Sequence, residues 1–409
     1  MSAAQSTEVR FADIERARAR LAGVVKPTPL VQSATISRML GAEVYLKPEN
    51  LQKTGSFKIR GAYNRVAALS SAEAARGAVA ASAGNHGQAL AWAATRAGVR
   101  ATIVMPTTAA IAKIDATRSY GQAVELAGVD YPGAFRAARE ICDRTGAIFV
   151  DAYDDPFVIA GQGTVGLEIA AEVEPDFVLV PVGGGGLIAG VALALAERAP
   201  RAKVIGIEAA GAPQLSLSLS EGAPSAIAAA VDTIADGLAT GRIGRLPFEV
   251  VRDRLERVVT VDDFEIGEAV LLMLERMKLL AEGAGAAALA GAIKMGAALA
   301  GRRVVVVVSG GNIDVNLLDR IIGHGLAKAG RLMRLTVEMR DRPGELERLL
   351  SVISGEGANV HAIQHDRARR DVRIGGARVT LELETRGHEH IERIREALAS
   401  RGHKVLVED

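Results

Sequence analysis

Cysteine is nearly absent from this chain, since Cys142 stands alone among 409 residues. One thiol cannot build an internal disulfide framework, and the scarcity fits a reducing compartment, with Cys142 itself expected as a small buried hydrophobe. Excess charge is absent too: 49 Lys and Arg meet 48 Asp and Glu, for a formal net charge of +1. Dedicated nucleic-acid binders are more basic and cluster that charge on one face, so no nucleic-acid partner is expected. No uninterrupted apolar run approaches the ~18 residues of a membrane helix. Residues Met1 to Arg20 mix charges with alanines and lack the apolar stretch of a signal peptide. The expectation is a soluble, cytoplasmic protein without a membrane partner.

What is present is length and alternation. At a prior of ~150 residues per domain the chain holds two or three domains, with ample core to fold unaided. Runs 44–46, 77–82, 101–105, 123–126, 147–151, 177–182, 203–208 and 302–309 read as strands. Between them 89–97, 133–145, 163–173, 187–199 and 265–281 have helical spacing, the pattern of a parallel sheet wrapped by helices. After a helical connector, 320–331, the texture changes. Met333 to Met339 alternates like a strand, a Pro343-Gly344 turn leads into an amphipathic stretch from Leu346, and the order βαββαβ follows. The expected fold is therefore an α/β region over 1–327 and a ferredoxin-like module over 328–409.

Four segments carry chemistry. Lys58, in Thr54-Gly55-Ser56-Phe57-Lys58-Ile59-Arg60-Gly61, lies between two expected strands, where a lysine is usually solvated surface. Its neighbours Gly55, Ser56 and Gly61 permit a tight turn and close approach of a ligand, and Arg60-Gly61-Ala62 opens an apparent helix. To act as nucleophile and base near neutral pH, Lys58 needs a pKa well below ~10.4, through burial or a nearby cation. Ser82-Ala83-Gly84-Asn85-His86-Gly87 follows a strand and precedes a helix, so its amides suit an anion such as a carboxylate. His86 tempts as an acid or base and is weighed more heavily as a structural contact behind the site.

Gly183 to Gly186 admit two readings. With Ala189 they match a dinucleotide fingerprint, and Glu208 ends the next strand where a ribose acid would sit. Position in mid-chain, four consecutive glycines and the upstream lysine motif favour a single wrapped phosphate instead. Glu208 is then expected to close a strand or bind a cation. Ser309-Gly310-Gly311-Asn312 ends an all-valine run, at the strand end where open sheets bind ligands. Together the pieces describe a pyridoxal phosphate site: a lysine for the aldehyde, Gly183 to Gly186 for the phosphate, Asn85 for the ring hydroxyl and Ser309 for the ring nitrogen. A serine there leaves the ring neutral, a weaker electron sink that suits rapid β-elimination.

Five motifs in this order resemble the threonine dehydratases, or threonine ammonia-lyases: Ser56-Phe57-Lys58-Ile59-Arg60-Gly61-Ala62, Ser82-Ala83-Gly84-Asn85-His86-Gly87-Gln88, Gly183-Gly184-Gly185-Gly186-Leu187, Glu282-Gly283-Ala284-Gly285-Ala286 and Ser309-Gly310-Gly311-Asn312. The resemblance covers nearly the whole chain. It implies the two-domain tryptophan-synthase-β fold, also called fold type II, with a small domain of about 51–154 inserted in a larger one and closing over substrate with Gly84 as part of the hinge. The tail, with Asp341-Arg342-Pro343-Gly344 before Leu346, resembles an ACT domain, the small-molecule sensor of amino-acid enzymes.

The resemblance implies roles as well. Lys58 would hold pyridoxal 5'-phosphate and remove the Cα proton; Asn85, Gly183 to Gly186, Leu187 and Ser309 would bind the cofactor. Ser56, Ser82 and Asn85 would surround the substrate carboxylate, with Phe57, His86 and Glu282 behind them and Tyr153 as a pocket wall. L-Threonine, and with it L-serine, would lose the β-hydroxyl and yield 2-oxobutanoate or pyruvate and ammonia, in isoleucine formation or threonine breakdown. A homo-oligomer, a tetramer, is implied, with an amino-acid effector at the tail or an assembly role for it. Related serine racemases carry a serine at the position of Ala83, and place a divalent cation on positions matching Glu208, Ala212 and Gln214, the last an aspartate there. No metal is therefore assigned, and a racemase, a dehydratase of other 3-hydroxy amino acids or a non-catalytic sensor remain the alternatives.

Overall fold

The computed structural model describes residues 8–367 and 372–407. The chain forms two compact units, Met1–Asp314 and Val315–Asp409. The division falls earlier than the expected 327/328, because the connector helix, Val315–Lys328, packs on the first strand of the second unit.

The first unit contains strands β1 (Val31–Gln32), β2 (Glu43–Pro48), β3 (Ala78–Ala81), β4 (Ala101–Met105), β5 (Ala123–Leu126), β6 (Ile148–Phe149), β7 (Phe177–Pro181), β8 (Lys203–Ala209), β9 (Leu255–Val261) and β10 (Arg303–Val308). One sheet runs β1-β2-β10-β7-β8-β9, parallel except for β1; the other runs β5-β4-β3-β6, all parallel. The smaller sheet is thus built wholly from chain between β2 and β7. In β10 five consecutive valines are fully buried, since a central parallel strand is covered on both faces and has no polar side to show.

Most expected elements are present with shifted ends. The helix expected at 89–97 starts at Asn85, and the one expected at 163–173 starts at Pro156, where the Asp155 carboxylate accepts from Phe157 N at 2.8 Å and Val158 N at 3.0 Å. The helix expected over 265–281 is shorter: it runs Asp263–Leu272, widens into a π turn, Met273–Met277, and stops where Lys278 takes φ 57°. Lys58 lies between β2 and β3 in the chain, as expected, and begins the helix Lys58–Ala67, two residues before the expected opening at Arg60. Strand β9 and the helices Phe11–Leu21, Ile111–Arg118, Arg245–Val251 and Gly283–Met295 were not anticipated. β9 is half exposed and carries Glu256 and Arg257, so its pattern is blurred.

Lys58–Ala67 packs against Pro156–Glu172 with almost no room between backbones. A Cβ on Gly161 would lie 2.6 Å from Arg60 O and from Gly61 Cα. Beside this contact lies a buried set of charges. Arg60 donates through Nε (2.7 Å) and Nη2 (2.8 Å) to the two oxygens of Glu49, and through Nη1 (2.6 Å) and Nη2 (2.8 Å) to Glu168. Lys47 Nζ donates to Glu168 Oε2 at 2.6 Å and Thr28 Oγ1 to Glu49 Oε1 at 2.6 Å. Burial works to raise the Glu49 pKa, but Arg60, Thr28 and Lys47 outweigh it and hold the carboxyl below its usual range.

The second unit holds β11 (Leu332–Arg340), β12 (Asn359–Asp366), β13 (Gly376–Glu384) and β14 (Lys404–Val407), with helices Glu345–Gly355 and His388–Ser400 between them in the order βαββαβ. The antiparallel sheet order is β12-β13-β11-β14, the ferredoxin-like arrangement. Met333, Leu335, Val337 and Met339 alternate onto the helix-covered face, as the sequence pattern requires. Among the described residues no helix is long and apolar enough to cross a membrane.

Replacing Arg60 by Met should destabilise the protein by about 3–5 kcal/mol, because it leaves Glu49 charged, dry and uncompensated. Urea unfolding of the two proteins checks this; an unchanged midpoint would remove the network from the stability account.

Candidate active site

The lysine motif and the end of β10 form one piece of structure. Ser56 and Gly310 make an antiparallel bridge, Phe57 N donates to Ser309 O at 3.0 Å, and Gly311 N donates to Gly55 O at 2.9 Å. Gly55 needs to be glycine twice over: its φ is +72°, and a Cβ would stand 2.3 Å from Asn312 Oδ1. Two motifs 250 residues apart in sequence are adjacent because these backbone bonds zip them together.

Lys58 Nζ donates to Ala152 O at 2.9 Å and lies 5.2 Å from the centroid of the Phe57 ring. Burial lowers its pKa to about 8, against the opposing pull of Asp151 and Glu282. A substantial fraction is therefore neutral near physiological pH. Two residues before it the Ser56 hydroxyl is fully buried and has no hydrogen-bond partner among the described residues.

Asn85 begins the helix Asn85–Ala97. Its Nδ2 donates to Glu282 Oε1 at 2.6 Å, and its Oδ1 accepts from Asn312 Nδ2 at 2.7 Å, which also donates to Thr54 O at 2.8 Å. One Asn85 N–H stays available for a ligand. Burial pushes Glu282 up to about 7, only partly countered by Asn85 and Lys113. Ser309 is buried, and its hydroxyl donates to Ala284 O at 3.1 Å. Ser82 Oγ accepts from Gly84 N at 3.2 Å, and Ser82 is half-buried.

The glycine turn precedes the helix Gly186–Arg198, with Leu187 buried in its first turn and Gly185 at φ +88°. A Cβ on Gly184 would fall 2.2 Å from the Tyr153 ring, and one on Gly183 would fall 2.8 Å from Gly237 O. Gln214 braces the turn from behind, its Nε2 donating to Val182 O and Gly183 O at 3.2 Å and to Leu238 O at 3.0 Å. Glu208 turns its carboxylate to the start of the next helix. Its carboxylate accepts from Leu215 N (2.5 Å), Ser216 N (3.0 Å) and Ser216 Oγ (2.7 Å), capping the helix Gln214–Glu221. His86 is buried with Nε2 at 2.9 Å from Val150 O; burial, reinforced by Lys58, depresses its pKa to about 3, so it stays neutral and is no proton carrier near pH 7.

Lys58, Ser56, Phe57, Ser309, Asn85 and Glu282 thus share one bonded neighbourhood, and Ala152–Tyr153 joins it to the glycine turn. Sequence reasoning left Asn312 and Ala152 without roles. Asn312 stands in a quoted motif and was traceable; a backbone carbonyl at Ala152 has no sequence signal at all.

A neutralisable lysine, an unpartnered buried hydroxyl and a glycine turn at a helix start are the parts that hold an aldehyde cofactor and its phosphate. They fit the pyridoxal-phosphate dependent enzymes, and the profile carrying that description matches residues 21–310. The chain belongs to that family, and pyridoxal phosphate is its cofactor. Within the family it stands among the threonine ammonia-lyases. It is 46% identical to the L-threonine ammonia-lyase of Thermotoga maritima over 98% of this chain and 99% of that one, so the likeness includes both units. The processed form of threonine deaminase isoform 2 from Solanum lycopersicum matches 76% of this chain and 87% of its own at 37% identity with a TM-score of 0.74, and the serine racemase of maize matches 78% and 98% at 35% identity with a TM-score of 0.73.

Attachment of pyridoxal phosphate to the apoprotein needs the Lys58 amine unprotonated. With its pKa lowered to about 8, the attachment rate should climb as pH rises through 8 and level off above it. Stopped-flow absorbance from pH 6.5 to 10 tests this; a climb centred above pH 10 would show an unperturbed lysine.

Proposed function

We propose that the protein deaminates L-threonine, and also L-serine, by α,β-elimination of the hydroxyl, releasing 2-oxobutanoate or pyruvate together with ammonia. The observation that carries it is the Lys58 amine, desolvated and anchored on Ala152 O beside the unpartnered Ser56 hydroxyl. Full-length likeness to an L-threonine ammonia-lyase supports the choice of substrate.

Lys58 holds the cofactor, Asn85 and Ser309 contact its ring, and Gly183 to Gly186 with Leu187 take its phosphate. When bound, that cofactor supplies the electron sink that lets the Cα–H bond of an amino acid break. Ser56, Ser82 and the Asn85 amide receive the substrate carboxylate, which fixes Cα in front of Lys58. The freed Lys58 amine, basic enough to bind a proton yet neutral in part at pH 7–8, takes the Cα proton. Ser309 offers a hydroxyl rather than a carboxylate, so it does not protonate the ring nitrogen and favours elimination over a long-lived carbanion. Loss of water and hydrolysis of the resulting enamine balance to the oxo acid and ammonia. Serine lacks only a methyl group, and an apolar pocket discriminates such a difference by about 10–200-fold at most. Racemisation is disfavoured at the position of Ala83, which has no hydroxyl to act on the opposite face.

The second unit is proposed as an ACT module that senses an amino acid, with the intact enzyme a homo-oligomer in the cytoplasm. Supporting it are the βαββαβ order and a cavity of about 440 Å³ whose lining includes Arg340, Asp341, Arg342, His365 and Arg367, groups of both signs suited to a zwitterion. Gly344, at φ +87°, turns the chain from this cavity into the helix Glu345–Gly355.

Purified protein should release 2-oxo acid from L-threonine and L-serine, and Lys58→Ala should lower the rate by at least about 10²-fold. A yellow protein that releases nothing from either would keep the cofactor site and discard the substrate. Calorimetry on the intact enzyme should show heat of binding with isoleucine or valine that Arg342→Ala weakens; silence with isoleucine, valine, serine and threonine would leave the module an assembly surface.

A further inference from the structure

Two adjacent residues touch both ends of the cofactor site. Ala152 presents its carbonyl to Lys58 Nζ at 2.9 Å. Tyr153 lies against the glycine turn, so closely that a Cβ on Gly184 would meet its ring carbons Cγ and Cδ1 at 2.2 Å and Cε1 at 2.5 Å. On Gly186 a Cβ would stand 3.0 Å from Tyr153 Cα and 3.1 Å from its Cβ and carbonyl oxygen. Gly184 is therefore required by the tyrosine ring, and Gly186 is crowded by the backbone at the same position, whatever the phosphate requires.

The segment is also held from both sides. Asp151 Oδ1 accepts from Tyr153 N at 2.9 Å and from Asp154 N at 2.8 Å. The Asp154 carboxylate caps the helix Arg245–Val251 through Arg245 N at 3.1 Å and Leu246 N at 2.9 Å. Asp155 caps Pro156–Glu172 and pairs with Arg65, a residue of the Lys58 helix, at 3.0 Å. Backbone fixed at Asp151, Asp154 and Asp155, on both sides of Tyr153, leaves the residue little freedom to follow the turn; the turn follows the ring.

We propose that Tyr153 is a positioning residue: its ring is the surface against which the phosphate turn is set, and the Ala152 carbonyl beside it sets the lysine, so this dipeptide fixes the distance between cofactor attachment point and phosphate cradle. The ring face, not the hydroxyl, makes the contact with Gly184. The inference rests on the pyridoxal phosphate site and not on which amino acid is deaminated.

Titrating apoprotein with pyridoxal phosphate, followed by visible absorbance and calorimetry, gives the dissociation constant without any turnover. Tyr153→Phe should bind within about twofold of the parent and Tyr153→Ala at least about tenfold more weakly, while thermal unfolding of the two apoproteins stays close. Gly184→Ala should also bind weakly, and the added Cβ should cost less in a Tyr153→Ala background, where the ring it strikes is gone. Equal affinity of Tyr153→Ala and parent overturns the proposal, as does a Gly184→Ala penalty identical in both backgrounds. If Gly184→Ala does not fold, the Phe and Ala variants at 153 decide it alone; loss of affinity in Phe as large as in Ala would assign the effect to the hydroxyl and overturn the role of the ring.

Discussion

The placement of Lys58 depends on a set of four charges, neutral in sum and largely dry, centred on Arg60 two residues along the same helix. Arg60, Lys47, Glu49 and Glu168 sum to no net charge, and three of them are at or near zero exposure. Isolated, any one of them would be several kcal/mol too costly to bury. Together they are tolerable only in one geometry, with the Arg60 fork seated on Glu49 and Glu168. Because Glu49 follows β2 and Glu168 lies on Pro156–Glu172, that geometry fixes the helix Lys58–Ala67 against both. Lys58 therefore projects from a helix whose rotation and height are set by charge pairing, and whose approach distance is set by Gly61 and Gly161.

The electrostatics one turn away have the opposite character. Where the Arg60 set stabilises charge, the site disfavours it in each of three groups: Lys58 falls to about 8, Glu282 rises to about 7 and His86 falls to about 3, burial leading in every case. Lys58 and Glu282 thereby approach one another in proton affinity, although free lysine and glutamate differ by ~6 units. His86, by contrast, is held neutral against Val150 O.

The core of this organisation was legible in the sequence where one physical cause dominates. The valines of β10 announce a covered parallel strand, and the alternation in β11 announces a half-covered antiparallel one. Lys58, Asn85, Ser309 and the glycine turn stood out as candidates because few chemistries use all four residue types together. Illegible were the features that arise only from contact. The carbonyl of Ala152 is chemically the same as every other carbonyl until Lys58 is placed against it. Helix 263–272 ends early for a reason local propensity does not carry, a π turn whose Lys278 adopts a left-handed conformation. The hydrogen-bond partners of Glu208, Leu215 N and Ser216, become visible only once the following turn is folded back.

Helix starts show most directly how architecture becomes affinity. Ser33, Ser70, Asp130, Asp155 and Asp262 cap the helices that follow them with their own side chains, satisfying first-turn amides internally. Like Ile111–Arg118, Glu345–Gly355 and His388–Ser400, the four helices that begin at candidate site residues do not: Lys58–Ala67, Asn85–Ala97, Gly186–Arg198 and Gly283–Met295 have no side-chain cap. Before the third of these stands Gly185, which has no side chain to offer, and before the last stands Glu282, whose carboxylate turns to Asn85 instead. Uncapped amides carry the positive end of the helix dipole and prefer an anion. A cofactor phosphate and a substrate carboxylate are two anions of the kind such ends accept, so capping energy that the fold could have taken for itself is left to be supplied by the molecules it binds.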